Sequence, residues 1–476
     1  MRVIRFPTFL LLLALLFSVL LLSNESENRI EGVPLPVYPV EVSTSGTSGD
    51  LWFCVGPTQE LDGVDERKIT LTSFSASDSY GRVTIADELG NDIEREILLE
   101  AGKNFDIKPE QSVPGARWAA VTIEVPKGEV IVKQQITGTG IDSKPCVTAT
   151  SDSWYLPWSS TSRPGNKASL LFYNPFQAPA VADLHFVGDV GRRETLDSQG
   201  VVIPSRSMLI YDLTSRIADS SVVSATVDVR VGQLVVARFQ TMEEDGQKGL
   251  DLAYGSTRAA KRVFLTGFET GANGKEFVSI LNPNNDLVEV EVSYFALNGQ
   301  NIQPRKLELR ALQRQVLELD MPESVGGPYG IEVNSFDGEP ITAAFVSFID
   351  NNSSDDQNTI GLATENGVDI AAREWKILIP DDSPQTRYLS IFNPNAESIA
   401  SVRFLNHHSE LPISLPAQIE LDGLEGVSLK LADKTFGLFD VESTAPIVAR
   451  VTVNDAAGMY IENGVAISKT SEIPIP

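Results

Sequence analysis

Apolar and polar residues alternate along several stretches of the chain. From 288 to 294 every second residue is valine or tyrosine, and the residues between them are glutamate or serine. A period of two places the apolar side chains on one face of a half-buried antiparallel strand. The alternation recurs at 184–186 and 402–404, whereas helical periodicity is sparse, with one short turn of helix expected within 213–221. The pattern predicts an all-β protein.

The alternating strands belong to a unit that occurs three times. In each copy a strand ends in Asn-Pro and a second strand follows, and successive Asn residues lie about 110 positions apart, the length of one β-sandwich domain. Proline favours an extended conformation for the preceding Asn, whose side chain can bond the backbone of the turn. These structural turn motifs are Asn174-Pro175, Asn282-Pro283 and Asn393-Pro394.

A second marker keeps nearly the same period. Short apolar strands follow a turn at 129–132, 233–237, 340–344 and 446–449, with starts about 105 positions apart, which indicates internal repeats. A chain of 476 residues is also too long for one hydrophobic core. We therefore predict four tandem β-sandwich modules of immunoglobulin-like form, the first of them degenerate because it lacks the Asn-Pro motif.

The N-terminus has the form of an export signal. Arg2 and Arg5 precede an apolar run from Phe9 to Leu22, which gives a positive region followed by a hydrophobic one. The residues at the end of this run match the small-residue pattern of a cleavage site poorly, and the hydrophobic segment has about the minimum length of a membrane span. We favour a single-pass membrane anchor with an extracytoplasmic body. A cleaved signal peptide, and hence a secreted protein, is the alternative.

The segment after the hydrophobic run is polar and then rich in Pro, Ser, Thr and Gly, a composition that does not bury enough surface to fold. The predicted domains are a signal peptide or transmembrane anchor at 1–23, a flexible stalk at 24–48, a degenerate, disulfide-stapled module at 49–148, and further modules at 152–256, 260–367 and 373–470.

Net charge and cysteine content narrow the function classes. The formal charge of −26 argues against nucleic acid as a partner, since phosphate binding needs clustered Lys and Arg. Cys54 and Cys146 are the two cysteines of the chain, and an even count in an exported protein predicts a disulfide. A disulfide that closes the loop between these two residues would contribute roughly 4 to 5 kcal/mol of stability in the chain-entropy model. The alternative, a redox-active pair, lacks the Cys-x-x-Cys spacing.

Residue types for catalysis are scarce. The chain has three histidines, of which His407 and His408 are adjacent and would point to opposite faces of a strand. We find no hydrolase, zinc, phosphate-loop or dinucleotide motif, and predict no catalytic residue, no metal and no cofactor. The acidic loop from Asp350 to Asp356 could gather oxygen ligands for calcium, but it lacks the spacing of a calcium loop. A solvated hairpin tip is the alternative.

Aromatic residues at the start of the second module are the candidate ligand-binding residues. Trp154, Tyr155 and Trp158 lie within five positions and could form a surface on which sugars stack. Packing in the core or between modules is the alternative, because aromatic residues at the start of a sandwich strand commonly serve that purpose.

Several short motifs carry a resemblance to a known family. They are Cys54-Val55-Gly56-Pro57, Pro145-Cys146, Trp154-Tyr155-Leu156-Pro157 and Leu171-Phe172-Tyr173-Asn174-Pro175. In these motifs the chain resembles the actinobacterial exported proteins that contain the domain of unknown function 5719. The resemblance implies a single-pass or secreted envelope protein without an assigned activity, and it transfers no catalytic residue.

Three hypotheses for function follow. The first is a non-enzymatic cell-envelope protein that acts as a scaffold or binding module for cell-wall or surface-polysaccharide machinery, with an envelope protein or glycan as partner and the membrane contacted through the N-terminal segment. The second is a carboxylate-based glycan hydrolase, which predicts a concave cleft with two carboxylates, at least one of them with a raised pKa. The third is a tandem adhesin that binds a protein through a long, exposed strand edge of a terminal module.

Overall fold

The structure is a computed structural model, in which the bulk of the chain after residue 49 is described. The described residues are 50–126, 129–162, 165–244, 247–266, 274–296, 302–319, 329–349, 361–379, 386–406, 415–432, 437–455 and 458–467.

All these residues belong to one compact unit, Tyr38–Pro476. The predicted anchor, the stalk, the acidic loop 350–356 and the pair His407 and His408 lie outside the described ranges. Within those ranges, no helix is both long and apolar enough to span a bilayer.

Antiparallel strands form nearly all of the structure, and they occur in successive groups that we call modules 1 to 4. Module 1 has two four-stranded sheets, ordered β1-β6-β3-β4 and β5-β2-β7-β8, with a 3-10 turn at Pro109–Gln111. Its strands are β1 (Asp50–Pro57), β2 (Val64–Ser73), β3 (Ser79–Asp87), β4 (Asp92–Leu99), β5 (Asn104–Ile107), β6 (Trp118–Val125), β7 (Val130–Gly138) and β8 (Ile141–Pro145).

Module 2 repeats this arrangement, with β12-β11-β15-β9 in one sheet, where β13 also pairs with β11, and β14-β10-β16-β17 in the other. A short helix, α1 (Leu213–Arg216), begins where Asp212 accepts hydrogen bonds from two backbone amides, the usual N-cap. The strands are β9 (Ser153–Leu156), β10 (Lys167–Asn174), β11 (Ala180–Gly188), β12 (Gly191–Arg193), β13 (Val201–Ile203), β14 (Ser207–Asp212), β15 (Ser224–Val231), β16 (Val235–Glu244) and β17 (Gln247–Tyr254).

Module 3 has sheets ordered β18-β23-β20-β21 and β22-β19-β24-β25. The alternating stretch at 288–294 lies on β20, and its valines are buried as the pattern predicts. The strands are β18 (Arg262–Thr266), β19 (Gly274–Leu281), β20 (Val288–Ala296), β21 (Arg305–Leu309), β22 (Arg314–Glu318), β23 (Tyr329–Ser335), β24 (Thr342–Ile349) and β25 (Gly361–Asn366).

Module 4 has the same pairing, but one 19-residue strand, β31, runs through both of its sheets. The first part of β31 pairs with β26 and β28, and its second part pairs with β27 and β32. The strands are β26 (Ala372–Ile379), β27 (Thr386–Phe392), β28 (Ala400–Asn406), β29 (Gln418–Leu421), β30 (Gly426–Leu431), β31 (Gly437–Asp455), β32 (Gly458–Asn463) and β33 (Val465–Ala466).

The all-β prediction is confirmed, but the strand order is not that of an immunoglobulin domain. In modules 1 and 3 the first strand pairs with the sixth, and the second strand pairs with the seventh. The first two strands therefore lie in opposite sheets, whereas they pair with each other in an immunoglobulin domain. The strand order of these modules therefore differs from the predicted immunoglobulin-like one.

The predicted disulfide joins the two ends of module 1. The sulfur atoms of Cys54 on β1 and Cys146, one residue after β8, are bonded, and their Cα atoms lie 4.9 Å apart. Both residues are buried in a core cluster that also contains Leu378, Leu438 and Val465 of module 4. Modules 1 and 4 therefore share a hydrophobic core, which a string of independent domains would not do.

The three Asn-Pro motifs have one structural role. Asn282 is fully buried, and its side-chain amide donates to the carbonyl oxygens of Asp286, Leu309 and Arg310 at 2.8 to 3.0 Å. Its Oδ1 accepts from the backbone amide of Asn284. Asn174 and Asn393 make the matching set of four bonds.

Each of these asparagines therefore ties its own turn to the segment that leads into the strand beside it, which is β14, β22 or β30. Pro175, Pro283 and Pro394 follow directly in the turns. The predicted bond from the Asn side chain to the turn backbone is present, and the bonds across the sandwich add to it.

The last strands of modules 1, 2 and 3 and the last long strand of module 4 pack against one another, in the cyclic order β8, β17, β25, β32 and back to β8. We call this the ring junction. Each strand makes its contact at a glycine that lies just before the strand or near its start. A Cβ at Gly140 would lie 2.6 Å from the backbone nitrogen of Leu250, and one at Gly361 would lie 2.9 Å from that of Met459. Gly249 and Gly458 make the two remaining contacts of the ring, to Leu362 and Ile141.

Replacement of the Asn282 side chain should be costly, because this buried amide is the donor to three carbonyl groups. We expect Asn282→Ala to lower the free energy of unfolding by roughly 2 to 4 kcal/mol, measured by urea denaturation. The control is Asn104→Ala, where an exposed asparagine makes one bond to Thr72 and the loss should stay below about 1 kcal/mol. Equal losses in the two variants would contradict this role.

A side chain at a ring glycine should open the junction. We expect Gly361→Val to destabilise the protein by roughly 1 to 3 kcal/mol through overpacking, and to accelerate hydrogen exchange of backbone amides in β25 and β32. In the control Gly90→Val the new Cβ meets nothing within 4 Å, but φ is +86°, so backbone strain of roughly 1 to 2 kcal/mol is the main cost. Unchanged exchange in β25 and β32 of Gly361→Val would argue against close packing there.

Candidate functional site

The ring junction encloses an unusual number of charged side chains. Charged groups are rarely buried unless they are paired, and those at this junction come from all four modules. They are Arg67, Lys133, Asp142, Lys144, Arg238, Asp251, Glu365, Arg450 and Glu462.

Two aspartates occupy equivalent places, each two residues after a ring glycine. Asp142 accepts a 2.6 Å hydrogen bond from the backbone amide of Leu252, and Asp251 accepts one of 2.8 Å from the amide of Thr364. Each aspartate thus binds the last strand of the next module. Burial raises the pKa of Asp142 to about 8, with the nearby charge of Lys144 opposing that shift.

Lys144 joins module 1 to two other modules. Its Nζ donates to Glu365 at 2.7 Å, to the carbonyl oxygen of Thr364 at 2.6 Å and to the carbonyl oxygen of Ile461. Burial opposes its charge, but the surrounding carboxylates, with Glu365 first among them, raise the pKa of Lys144 above its usual range. One lysine of module 1 therefore contacts both module 3 and module 4.

A second lysine of module 1 closes the ring on module 4. Lys133 on β7 donates to Glu462 on β32 at 2.8 Å and to the carbonyl oxygen of Leu378 at 2.9 Å. Burial lowers the pKa of Lys133 and raises the pKa of Glu462, and the attraction between the two groups opposes both shifts.

Arg67 supports one contact between modules 1 and 2 indirectly, through Gln134. Its guanidinium donates to three backbone carbonyl groups of module 1 and to Gln134. Gln134 in turn donates to the hydroxyl of Tyr254 on β17 at 2.6 Å. Burial lowers the pKa of Arg67 to about 10 and raises that of Tyr254.

Two arginines, one from module 2 and one from module 4, donate hydrogen bonds to module 3. Arg238 forms an ion pair with Asp251 and donates to the hydroxyl of Thr364 at 2.6 Å. Arg450 donates to the carbonyl oxygen of Thr266 at 2.5 Å and to Asn463 at 3.3 Å. Most of the charged groups at the junction are therefore engaged in contacts between modules. Removing one partner of such a buried pair destabilises strongly, because the other charge is left unpaired.

A cavity of about 230 Å³ opens at one end of the junction, and we call it the axial cavity. The residues that follow the last strands of all four modules line it, together with Trp154 and Trp375, which begin modules 2 and 4. Polar groups on its wall include Lys144, Glu365 and Asn463. A volume of this size holds far more than one water molecule, so a small ligand fits.

The predicted aromatic residues do not form one surface. Trp154 is 0% exposed and donates its ring N–H to the carbonyl oxygen of Leu234, and Trp158 is 5% exposed and lies beneath Arg238. Tyr155 is half-buried. Two of the three rings are thus engaged inside the protein, which favours the packing alternative over a sugar-stacking surface.

Sequence reasoning missed the charged junction, although a signal for it is present. The last strands of modules 2, 3 and 4 read Gly-Leu-Asp-Leu-Ala-Tyr-Gly, Gly-Leu-Ala-Thr-Glu-Asn-Gly and Gly-Met-Tyr-Ile-Glu-Asn-Gly, beginning at Gly249, Gly361 and Gly458. Each of these strands has two glycines six positions apart with polar residues between them. Glycine within a strand often marks a place where the backbone of another segment approaches closely. Within the described ranges, no cluster of three or more His, Cys, Asp or Glu has the geometry to hold a metal ion.

Comparison with known proteins places the chain in a family. A family model described as "Family of unknown function (DUF5719)" matches residues 127–432. No curated protein matches the chain.

Three solved structures illustrate distant likenesses to the chain. Thermotoga maritima 1070 is 17% identical, with 23% of this chain and 95% of that one covered and a TM-score of 0.19. The Streptomyces avermitilis α-L-rhamnosidase complexed with L-rhamnose is 10% identical, with 65% and 45% covered and a TM-score of 0.16. A tetra-tandem repeat from the extending region of a large adhesion protein is 12% identical, with 89% and 100% covered and a TM-score of 0.11. Such low scores carry no argument about this chain.

The raised pKa of Asp142 predicts a pH-dependent stability. Between roughly pH 4 and pH 8 the folded carboxyl keeps a proton that the unfolded chain releases, so this group's contribution to stability falls as the pH rises. Asp142→Asn imitates the protonated group, and its free energy of unfolding should therefore decline less than that of the wild type over this range. Urea denaturation at a series of pH values measures the difference.

The control for that comparison is Asp92→Asn, an exposed aspartate paired with Arg206, which should keep the slope of the wild type. The other buried groups are common to all three proteins, so the difference isolates Asp142. Parallel curves for Asp142→Asn and the wild type would contradict a raised pKa at this position.

Proposed function

Because the chain belongs to the family of unknown function DUF5719, whose description assigns no activity, we propose its function from its geometry. The protein is a non-enzymatic, extracytoplasmic cell-envelope protein that acts as a scaffold and binding module. Its partner is a glycan or a protein of the cell-wall or surface-polysaccharide machinery. The axial cavity is the binding site, and the four modules around it are the scaffold.

The observation that carries this proposal is the way the junction uses its charges. Lys144, Asp251 and Arg238 each bond to backbone or side-chain groups of another module, and they hold the modules together. The cavity beside them has mainly apolar walls with a few polar groups, the composition of a small-molecule binding site. Binding, rather than chemical turnover, suits such an arrangement.

The disulfide supports the extracytoplasmic location. Structural disulfides form and persist in oxidising compartments and are rare in the cytosol, and the Cys54–Cys146 bond is buried between modules 1 and 4. The hydrophobic run at 9–22 would tether the body to the membrane, or direct its secretion if it is cleaved.

The hydrolase alternative finds weaker support. Asp142 has the raised pKa that a general acid needs, but its side chain is 2% exposed. Both of its oxygens accept backbone hydrogen bonds, from Ser143 and Leu252. A substrate would have to displace these bonds before it reached the carboxyl group.

One observation favours the adhesin as a second candidate. β4 ends its sheet in module 1, which is a terminal module, and it is eight residues long. On its outer face Leu98 lies opposite Tyr80, and these side chains are 43% and 71% exposed. An exposed strand edge with apolar neighbours is a surface to which an extended peptide can add as another strand.

The test is retention of the full-length protein, purified in detergent with its disulfide intact, on cell-wall and capsular glycan fractions. We expect retention without release of soluble sugar products, since the charged residues serve structure. Product release would overturn the non-enzymatic proposal. Failure to be retained, with capture of an envelope protein that requires β4, would favour the adhesin.

Two variants test whether the axial cavity is the binding site. Thr257 is half-buried at the cavity wall, and Thr257→Trp should fill the opening and abolish retention. Thr70→Trp places the same side chain outside the cavity, on β2, and should leave retention unchanged. Equal retention of both variants would place the binding site elsewhere on the molecule.

A further inference from the structure

Three side chains beside the axial cavity share hydrogen bonds in a reactive arrangement. Nζ of Lys144 donates to Oε2 of Glu365 at 2.7 Å, and the side-chain amide of Asn463 donates to Oε1 of the same carboxylate at 2.8 Å. The three residues lie on β8, β25 and β32, and so come from modules 1, 3 and 4. One carboxylate therefore holds an amine next to a carboxamide.

Backbone contacts fix the amine against the strand that carries the asparagine. Nζ of Lys144 also donates to the carbonyl oxygen of Ile461, two residues before Asn463. The lysine side chain is 5% exposed and that of Glu365 is 16% exposed. The amine and the carboxylate are thus shielded from bulk water, so the lysine ammonium gives its protons to Glu365 rather than to solvent.

We propose that Lys144 and Asn463 join in a self-catalysed amide exchange, which links module 1 covalently to module 4. Nζ of Lys144 attacks Cγ of Asn463, so that a C–N bond to the lysine forms and the bond from Cγ to Nδ2 breaks. The lysine ammonium gives up two protons, which pass through Glu365 to the departing nitrogen. The products are a secondary amide and an ammonium ion, and Glu365 ends unchanged. No oxidant, reductant or added reactant takes part.

Glu365 has the geometry of the shared base and acid. It accepts a proton at the oxygen that contacts Nζ and returns one at the oxygen that contacts Nδ2, and both contacts lie within the range for proton transfer. The first transfer runs along an existing hydrogen bond and needs no exchange with solvent. Glu365 therefore touches both the group that attacks and the group that leaves.

Arg450 completes the site. Its Nε donates to Oδ1 of Asn463 at 3.3 Å, the oxygen on which negative charge develops when the amine attacks. A donor aimed at that oxygen stabilises the tetrahedral intermediate. Burial lowers the pKa of Arg450 to about 10, so the guanidinium stays charged at neutral pH. The adjoining cavity, whose wall includes Lys144 and Asn463, provides a path by which ammonium leaves.

The nearby pair of Lys133 and Glu462 provides an internal comparison. Its two groups are 2.8 Å apart and buried, and the partner of the lysine is a carboxylate rather than a carboxamide. An amide between these two residues would form with loss of water rather than ammonia. The mass of the product therefore distinguishes the two sites.

The decisive experiment is peptide mapping of the purified full-length protein by mass spectrometry, after reduction of the disulfide and digestion. We expect a branched peptide in which Lys144 is joined to Asn463, lighter than its two parts by one ammonia. Recovery of both residues only in linear peptides of unchanged mass would overturn the proposal. Because this measurement uses the wild-type chain, no variant has to fold, and its outcome does not depend on the proposed function.

Variants separate this reaction from other losses of ammonia. Asn463 precedes Gly464, and an Asn-Gly pair can lose ammonia alone by attack of its own backbone nitrogen. That product has no branch and persists in Lys144→Arg, whereas the cross-link should be absent from Lys144→Arg and from Glu365→Gln. The control Glu94→Gln, at an exposed position, should retain the branched peptide.

One further variant tests the chemistry. Asn463→Asp presents an acid instead of an amide, so a cross-link in that variant should form with loss of water. A branched peptide that persists in Glu365→Gln at the wild-type yield would show that Glu365 is not the base. Circular dichroism of each variant confirms that an absent cross-link does not reflect an unfolded chain.

Discussion

The close approach of four glycine-flanked strands is the constraint on which the rest of the structure depends. At Gly140, Gly249 and Gly361 a Cβ atom would lie within about 3 Å of the neighbouring strand or its side chains, a separation that packed proteins do not tolerate without rearrangement. Only glycine lets the last strands meet around one axis. A string of modules thereby becomes a closed ring, in which module 4 contacts module 1.

Closure of the ring explains why charged residues are buried there. Removing an ion from water costs several kcal/mol unless partners replace its hydration, and the junction supplies those partners from neighbouring modules. Lys144 contacts modules 3 and 4, and Asp142 and Asp251 each bind the backbone of the next module. Apolar contacts alone would allow the strands to pack in several registers, whereas paired charges are satisfied in few of them. Buried polar groups of this kind can therefore specify one arrangement.

The same geometry connects structure to the proposed function. The segments after the last strands leave the junction together, and the axial cavity lies between them. Its position makes the cavity a product of the assembled ring, because no module contains it alone. A covalent link from Lys144 to Asn463 would fix the first and last modules in place beside the cavity, as the disulfide already fixes the two ends of module 1.

The sequence by itself determined the strands, the repeat and the disulfide, and tertiary structure decided the site. Alternation along β20 and the Asn282 turn are local signals, since burial of one strand face and the φ preference before proline act over a few residues. The pairing of Cys54 with Cys146 followed from there being no other cysteine. The strand order, the burial of Trp154 and Trp158, and the meeting of Lys144, Glu365 and Asn463 depend on contacts between residues hundreds of positions apart. A charged residue in a strand has the same local pattern whether it faces water or another module, so only the closed ring decided which charges are buried.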